Sequence, residues 1–218
     1  MTYIFTPLAT DNFHRADGAL GANWSQDDFG SPLPAVLSDM AVDEIGGSVG
    51  YYTGASPAPN DQYAAITVGH FDPTGVTWDE AGVYIRTSLS YSSYFSAYIA
   101  PSGDNTTCLV RVDITGAEVW NGNIGVVNSG DVLLVAAIGT TLIVNYNGVT
   151  VFTIVNTTAT AGDFGMVLVS NEAPTNIQIT KFECGSVALP PPDYGTPGVY
   201  NSPWNFCSGV QNRTPERS

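Results

Sequence analysis

Three segments of the sequence alternate large polar or aromatic residues with apolar ones, and one side of this alternation carries groups that can bind a ligand. The segments read GVYIRT at 82–87, YFSAYIA at 94–100 and CLVRVDI at 108–114. Successive side chains of a β-strand point to opposite faces. If the three strands are neighbours, the outward face carries Tyr84, Arg86, Tyr94, Tyr98, Arg111 and Asp113, with Trp120 at its border.

Aromatic rings beside charged hydrogen-bonding groups suit the recognition of a sugar. The apolar C–H face of a pyranose packs on a ring, and its hydroxyls need donors and acceptors that are held in place. Two other interpretations of this face stay open. One is a solvated sheet surface on which tyrosine pairs stabilise cross-strand packing. The other is a subunit interface, where Tyr, Trp and Arg are also enriched.

The sequence gives little support for catalysis. It contains no G-x-G-x-x-G and no phosphate-binding loop. The adjacent acids Asp43 and Glu44, and likewise Asp79 and Glu80, would point to opposite faces of a strand, so neither pair makes a good glycosidase dyad. We therefore predict no catalytic residue and no enzymatic activity.

Metal-binding signals are equally weak. His14 and His70 are the only histidines, which excludes a three-histidine site within one chain. Asp27 with Asp28, or Asp104 with Asn105, could donate oxygens to a structural calcium ion, although no EF-hand pattern surrounds them. The spacing of Cys108, Cys184 and Cys207 fits no metal site, and we expect buried or incidental thiols. We predict no metal and no cofactor beyond such a calcium ion.

The charge of the chain limits its partners. Twenty acidic residues face six basic ones, for a net charge of −14 in 218 residues. Phosphate binding needs clustered Lys and Arg, so we predict no nucleic acid and no anionic membrane surface as a partner. The longest apolar runs, such as 132–138, have the length of a strand and not of a membrane span. The first residues, MTYIFTPLATDNF, lack the basic start and long apolar segment of a signal peptide.

Strand and turn formers dominate the composition, which favours an all-β fold. Asn147 and Gly148 lie between two apolar runs and give the strongest short hairpin signal. Residues 131–155 are therefore predicted to form a three-stranded antiparallel meander. The complete set of predicted strands is 35–40, 50–52, 63–68, 82–87, 94–100, 109–115, 118–121, 132–138, 141–146, 149–155, 165–170 and 177–183.

A proline-rich segment marks a boundary near the C-terminus. Three consecutive prolines at 190–192 cannot occupy a central strand and favour an extended conformation. The residues after them are too aromatic for a simple flexible tail, and two interpretations stay open. The arm either packs on its own domain or anchors the chain to a neighbouring subunit or larger assembly. The residues expected to anchor it are Tyr194, Tyr200, Trp204 and Phe206.

The segment DNFHRADGALGANWS at 11–25 crowds charge, glycine and aromatic residues together. We interpret it as a structural clasp and not as a site. Its apolar residues are expected in the core, its glycines in turns, and Arg15 in an ion pair with Asp11 or Asp17. The residues assigned to the clasp are Asp11, Phe13, Arg15, Gly18, Leu20, Gly21 and Trp24.

The same segment resembles the start of concanavalin A-like (laminin-G-like) jelly-roll domains of phage virion and bacterial surface proteins. The shared pattern is Asp-x-Phe-x-Arg, a glycine turn, Leu-Gly and then Trp. Further similar elements are YYTG at 51–54, DQYAAITV at 61–68, AGVYIR at 81–86 and GDVLLVAAIGTTLIVNYNG at 130–148, and ITKFECG at 179–185 resembles the closing strand. The resemblance implies an all-β antiparallel β-sandwich jelly roll at 11–185. A lead segment at 1–10 would precede it, and an irregular Pro-rich arm at 186–218 would follow.

The resemblance also bears on function. Glycosidase members of that superfamily carry a Glu-x-Asp-x-x-Glu strand motif, and this sequence lacks it. With the aromatic arm, the scarcity of lysine and the absence of a signal peptide, this leads us to predict a phage virion structural protein. It would be a capsid decoration or fibre-type protein on the virion surface, a homo-oligomer and preferably a trimer, in contact with the major capsid protein and with host glycans. The alternatives are a soluble lectin-like carbohydrate-binding module and a divergent glycoside hydrolase or lyase.

Overall fold

The computed structural model describes residues 3–26, 31–43, 47–74, 79–87, 93–158, 160–170 and 173–190. These residues form β-strands and connecting turns without a helix, as the composition predicts. None of them therefore forms a helix long and apolar enough to cross a membrane. The expected anchor residues Tyr194, Tyr200, Trp204 and Phe206 lie outside the described residues, as do Asp27, Asp28 and Cys207.

The strands belong to two antiparallel sheets. Sheet I has the order β14-β13-β12-β7-β16-β5-β4-β2, with β1 paired to β16, and sheet II has the order β11-β10-β9-β8-β15-β6-β3. In chain order the strands are β1 (Ile4–Asp11), β2 (Gly18–Ala19), β3 (Trp24–Ser25), β4 (Ala35–Leu37), β5 (Met40–Val42), β6 (Ser48–Tyr52), β7 (Gln62–Phe71), β8 (Glu80–Thr87), β9 (Phe95–Pro101), β10 (Cys108–Ile114), β11 (Ala117–Gly125), β12 (Val132–Ile138), β13 (Thr141–Tyr146), β14 (Val149–Val155), β15 (Asp163–Val169) and β16 (Ile177–Ala188).

The core lies between the sheets, where their inward-facing side chains meet. Val83 and Val110 of sheet II are fully buried in one cluster with Leu133 and Phe182 of sheet I. Strand β12 contacts β8 and β9 across this layer. The alternation that buries one side of each strand leaves the other side of sheet II as an outer face.

The predicted meander at 131–155 is confirmed. Strand β13 pairs with β12 on one side and with β14 on the other, both antiparallel. Asn147 and Gly148 have φ values of 51° and 80°. Two positive φ values in a two-residue hairpin are those of a type I′ turn, for which Asn-Gly is the preferred sequence.

The sheet extends beyond the 11–185 limits expected for the sandwich. Strand β1 pairs with β16 from Ile4 opposite Ala188 to Asp11 opposite Phe182. Residues 4–10, expected as a lead segment, are thus part of sheet I. The predicted strand at 35–40 is in fact two strands, β4 and β5, because Ser38 and Asp39 reverse the chain with φ values of 52° and 62°.

Candidate functional site

Strands β8, β9 and β10 are neighbours in sheet II, which brings most of the predicted ligand-binding face together. Tyr84 lies opposite Ser96, and Tyr98 lies opposite Arg111. Asp113 lies opposite Ser96 on the next strand. We call this outer surface the tyrosine–arginine face and define it by Glu80, Tyr84, Tyr94, Ser96, Tyr98, Arg111, Asp113 and Glu118.

Two tyrosines form the floor of the face instead of projecting from it. Tyr84 and Tyr98 are only 7% and 6% exposed, and their ring centroids are 5.9 Å apart in an edge-on arrangement. The Ser96 hydroxyl donates to the Tyr98 hydroxyl at 2.7 Å, and the Tyr98 hydroxyl donates to that of Tyr84 at 3.3 Å. The half-buried ring of Tyr94 packs edge-on against Tyr84 at 5.3 Å. Tyr94 is therefore the tyrosine of this face with the most ring surface left for a ligand.

The arrangement of Tyr84 and Tyr98 depends on a glycine at position 82 and on the protonated state of both tyrosine hydroxyls. A Cβ at Gly82 would collide with the ring of Tyr98, so glycine lets that ring lie across strand β8. Burial is the main cause that raises the pKa of Tyr84 and Tyr98 well above the ordinary phenol value. Both hydroxyls therefore keep their protons.

Arg111 organises the polar half of the face. Its Nη1 lies 2.7 Å from Oε1 of Glu80, and its Nε lies 2.8 Å from Oε2 of Glu118. The Asn121 side-chain amide donates to the other oxygen of Glu118 at 2.6 Å. The side chains of Arg111, Glu80 and Glu118 are 27%, 17% and 35% exposed, so water or a ligand reaches all three.

This half of the face has more acid than base. With Asp113, three carboxyl groups accompany one guanidinium. Burial raises the pKa of Glu80 despite the opposing charge of Arg111, and burial likewise raises the pKa of Asp113. Hydrogen bonds from Asn121 and Arg111 lower the pKa of Glu118. At neutral pH the four groups carry a formal charge of −2.

Arg86 does not join the face, contrary to the sequence prediction. Its φ of 52° marks a β-bulge, where the pairing of β8 with β15 shifts between Asp163 and Gly165. The bulge redirects the side chain, which is buried. Its Nη2 donates to the carbonyl oxygens of Asn60 at 2.8 Å and Gly139 at 2.7 Å. Arg86 thus ties two loops together at one end of the sandwich.

Trp120 also lies elsewhere. It is paired with Val112, whose side chain points into the core, and so it shares the inward side of sheet II. Its ring stacks on Phe152 of β14 with a centroid distance of 5.4 Å and an interplanar angle of 29°. Trp120 closes the edge of the sandwich where the two sheets meet.

The two glutamates of the face, Glu80 and Glu118, are not among the residues predicted for it. Glu80 lies four residues before Tyr84 and so shares its side of the strand, but the predicted strand begins at residue 82 and does not include it. The pairing of β10 with β11 shifts between Val112 and Asp113, so the partners of Arg111 cannot be counted off from the turn. The alternation of β8 continues two residues before Gly82 and places Glu80 on the same face.

The clasp residues of segment 11–25 meet around one carboxylate. Asp11 accepts hydrogen bonds from the indole Nε1 of Trp24 at 2.8 Å, from the backbone N–H of Phe13 at 2.9 Å and from the Arg15 guanidinium. Arg15 also donates to the carbonyl oxygen of Leu20 and lies 5.9 Å from the centroid of the Phe13 ring. Asp11, not Asp17, is the ion-pair partner of Arg15.

The aromatic part of the clasp is buried in the core. Trp24 packs edge-on against Tyr52 and Phe182, with centroid distances of 5.1 and 5.0 Å. Gly18 and Gly21 have φ values of 134° and 100°, which other residues rarely adopt. The hydrogen bonds of the clasp are directed inward or to its own backbone, and its contacts are those of a structural element.

Within the described ranges, no three His, Cys, Asp and Glu side chains form a group that could hold a metal ion. Asp104, one of the residues considered for calcium, already accepts from the backbone N–H groups of Thr106 and Thr107 and from the Thr107 hydroxyl. Those bonds account for the lowered pKa of Asp104. Its carboxylate therefore stabilises its own turn.

No protein-family model and no curated protein matches the sequence. Solved structures do match. A non-specific endo-beta-1,3(4)-glucanase from family GH16 gives a TM-score of 0.57 at 9% identity, over 85% of this chain and 91% of that one. The carbohydrate recognition domain of Emp47p gives 0.55 at 11% identity, over 81% and 93%. A legume lectin-like domain from Entamoeba histolytica gives 0.53 at 12% identity, over 76% and 91%. The chain therefore has the concanavalin A-like jelly-roll fold that its sequence predicted.

Proposed function

We propose that the chain is a non-enzymatic, lectin-like domain that binds carbohydrate on its tyrosine–arginine face. The observation that carries this proposal is Arg111 held between Glu80 and Glu118, on the same outer face as the half-buried ring of Tyr94. The guanidinium, the carboxylates and the Asn121 amide provide fixed donors and acceptors for hydroxyl groups, and Tyr94 provides ring surface. A legume lectin-like domain and a carbohydrate recognition domain are among the proteins of similar fold, which supports the proposal.

The position of Arg111 favours binding over hydrolysis. A glycosidase places two carboxyl groups on either side of the scissile bond, one as acid and one as nucleophile or base. Here the guanidinium of Arg111 already occupies the space between Glu80 and Glu118, bonded to each. A scissile bond would have to displace it from both.

The charge of the face selects the class of sugar. Its formal charge of −2 repels the carboxylate of a sugar acid, and the chain as a whole carries −14. Uncharged hydroxyls bind without this repulsion, and the ammonium of an amino sugar is attracted. We therefore expect neutral and amino sugars as ligands and no binding of sugar acids.

A glycan array with neutral, amino and acidic oligosaccharides tests the proposal. We expect Arg111→Gln to weaken binding about tenfold or more, since a hydrogen bond to a charged group contributes about 1.5–3 kcal/mol. Lys181→Gln is the matched control, because Lys181 forms a comparable pair with Glu183 at 2.6 Å on sheet I. It should bind like the wild type.

Three outcomes would overturn the proposal. The first is no binding to any glycan on the array. The second is equal loss of binding in Arg111→Gln and Lys181→Gln, which would mean a general effect of charge. The third is the release of shortened oligosaccharides from a ligand incubated with the wild type, which would identify a hydrolase.

A further inference from the structure

An apolar groove runs along the outer face of sheet I, on the side of the sandwich opposite the tyrosine–arginine face. It consists of two adjoining depressions with volumes of about 250 and 260 Å³, which share Tyr3 and Ile143. Among the described residues no charged side chain lines either one. The apolar lining comprises Tyr3, Phe5, Leu134, Ile138, Ile143 and Leu189.

Part of this lining is exposed to a degree that is unusual for large apolar groups. Phe5 is 39% exposed and Leu189 is 48% exposed. Phe5 also packs edge-on against Tyr63 at 5.1 Å, so the exposed ring belongs to a wall with fixed contacts. Clustered apolar exposure of this kind marks a surface that another segment or molecule covers.

The C-terminal arm begins inside this groove. Strand β16 ends at Ala188, and the next residue, Leu189, is itself part of the groove lining. Beyond Leu189 the chain continues for 29 residues, and from 190 to 212 it carries a single charged residue, Asp193. That stretch contains the four large aromatic residues already named as the anchor. An aromatic segment with a single charge therefore starts where an uncharged, largely apolar groove is open.

The length of the arm is sufficient to fill the groove. From β1 to β13 the sheet crosses four strand spacings, about 19 Å at about 4.8 Å each. The three prolines at 190–192 favour an extended conformation, which advances about 3.1 Å per residue. Tyr194 is then about 15 Å along the chain from Leu189, and the residues up to Phe206 can reach every part of the groove.

We propose that the arm of the same chain packs its aromatic residues into this groove. The occupant is the arm at 190–206, and the position of Leu189 favours docking within one chain over exchange between two chains. The groove is then an intramolecular binding site for a Pro-rich aromatic segment. Docking covers the exposed Phe5 and Leu189.

Limited proteolysis of the full-length chain tests this proposal. Chymotrypsin cleaves after Tyr, Trp and Phe, so docking should protect the arm. We expect Leu189→Asp and Phe5→Asp each to accelerate cleavage within the arm about tenfold, because cleavage follows the population of the undocked state. Val119→Asp is the matched control, since Val119 is 41% exposed on the edge strand β11, away from the groove.

The outcomes distinguish docking of the arm within one chain from docking on a second copy. Arm cleavage in the wild type as fast as in both groove variants would overturn the proposal, as would protection that neither variant reduces. Protection that grows with protein concentration would mean docking on a second copy and would also overturn it. Two variants are used because a substitution at Phe5 also acts on the pairing of β1 with β16. Leu189 lies just beyond β16, so Leu189→Asp leaves that pairing in place.

Discussion

Two arginines with similar exposure have different surroundings in this chain. The side chains of Arg15 in the clasp and Arg111 on the tyrosine–arginine face are 32% and 27% exposed. Arg15 pairs with one acid, Asp11, whose side chain is 9% exposed. Arg111 pairs with two glutamates that are 17% and 35% exposed, and a third acid lies beside them.

The difference lies in the acids and not in the arginines. Asp11 accepts bonds from a backbone amide, an indole and a guanidinium, all within its own segment and the core. The carboxyl groups around Arg111 outnumber it, reach solvent and retain acceptor capacity. Removing the cation of a buried carboxylate leaves an uncompensated charge and destabilises the fold, whereas a solvent-accessible pair contributes little to stability and is available to a ligand.

The largest expected effect is in the clasp. Trp24→Ala removes a buried ring that packs against Tyr52 and Phe182, and we expect a loss of about 3–5 kcal/mol in the free energy of unfolding. Urea denaturation measures it. Trp120→Ala is the control, because it removes the same side chain from a half-buried edge and should cost less. A Trp24→Ala protein as stable as the wild type that no longer binds glycans would make the clasp a binding site.

The sequence predicted the fold class and the shared side of five residues on the tyrosine–arginine face. Strict alternation suffices for this where strands are regular, as in the segment that holds Arg111 and Asp113. It failed at Arg86, because a bulge with positive φ changes the side on which a residue points and leaves no pattern in the sequence. It failed at Trp120 because a pairing shift in the neighbouring hairpin hides which residue lies opposite Val112.

Burial and partners were harder to predict than orientation. Alternation placed Tyr84 and Tyr98 on the outer side but did not show that they would be its buried floor. The pairing of Arg111 with Glu80 joins residues 31 positions apart, a separation that only the strand order resolves. The virion surface, the trimer and the contact with a capsid protein stay predictions, because they concern other molecules and not the contacts within this chain.

A smaller effect separates the two arginines directly. Arg15→Gln leaves the buried carboxylate of Asp11 without its cation, and we expect a loss of about 1.5–3 kcal/mol in unfolding free energy. Arg111→Gln removes a solvent-accessible pair and should cost less than about 1 kcal/mol. Urea denaturation of both variants measures the difference. Equal losses would contradict the distinction between a structural pair and a binding pair.

The smallest effect is in the titration of the two glutamates that share Arg111. Burial raises the pKa of Glu80 above its ordinary value of 4.5, whereas hydrogen bonds from Asn121 and Arg111 lower that of Glu118 below it. Carbon-detected NMR titration of the side-chain carboxyl groups should give a higher midpoint for Glu80 than for Glu118. Equal midpoints would mean that the two carboxyl groups have equivalent surroundings, and the asymmetry of the face would be lost.

The two shifts act on stability with opposite signs. Burial disfavours the ionised form of Glu80 in the folded state. The contribution of Glu80 to the free energy of unfolding therefore falls as pH rises from 4.5 through the folded-state pKa of Glu80. Glu118 contributes stability that is present above pH 4.5 and lost as pH falls through its lower folded pKa. In Arg111→Gln both midpoints should rise, because the guanidinium lowers each. A rise in only one of them would show that Arg111 serves that glutamate alone, and the face would then resemble the one-acid, one-base pair of the clasp.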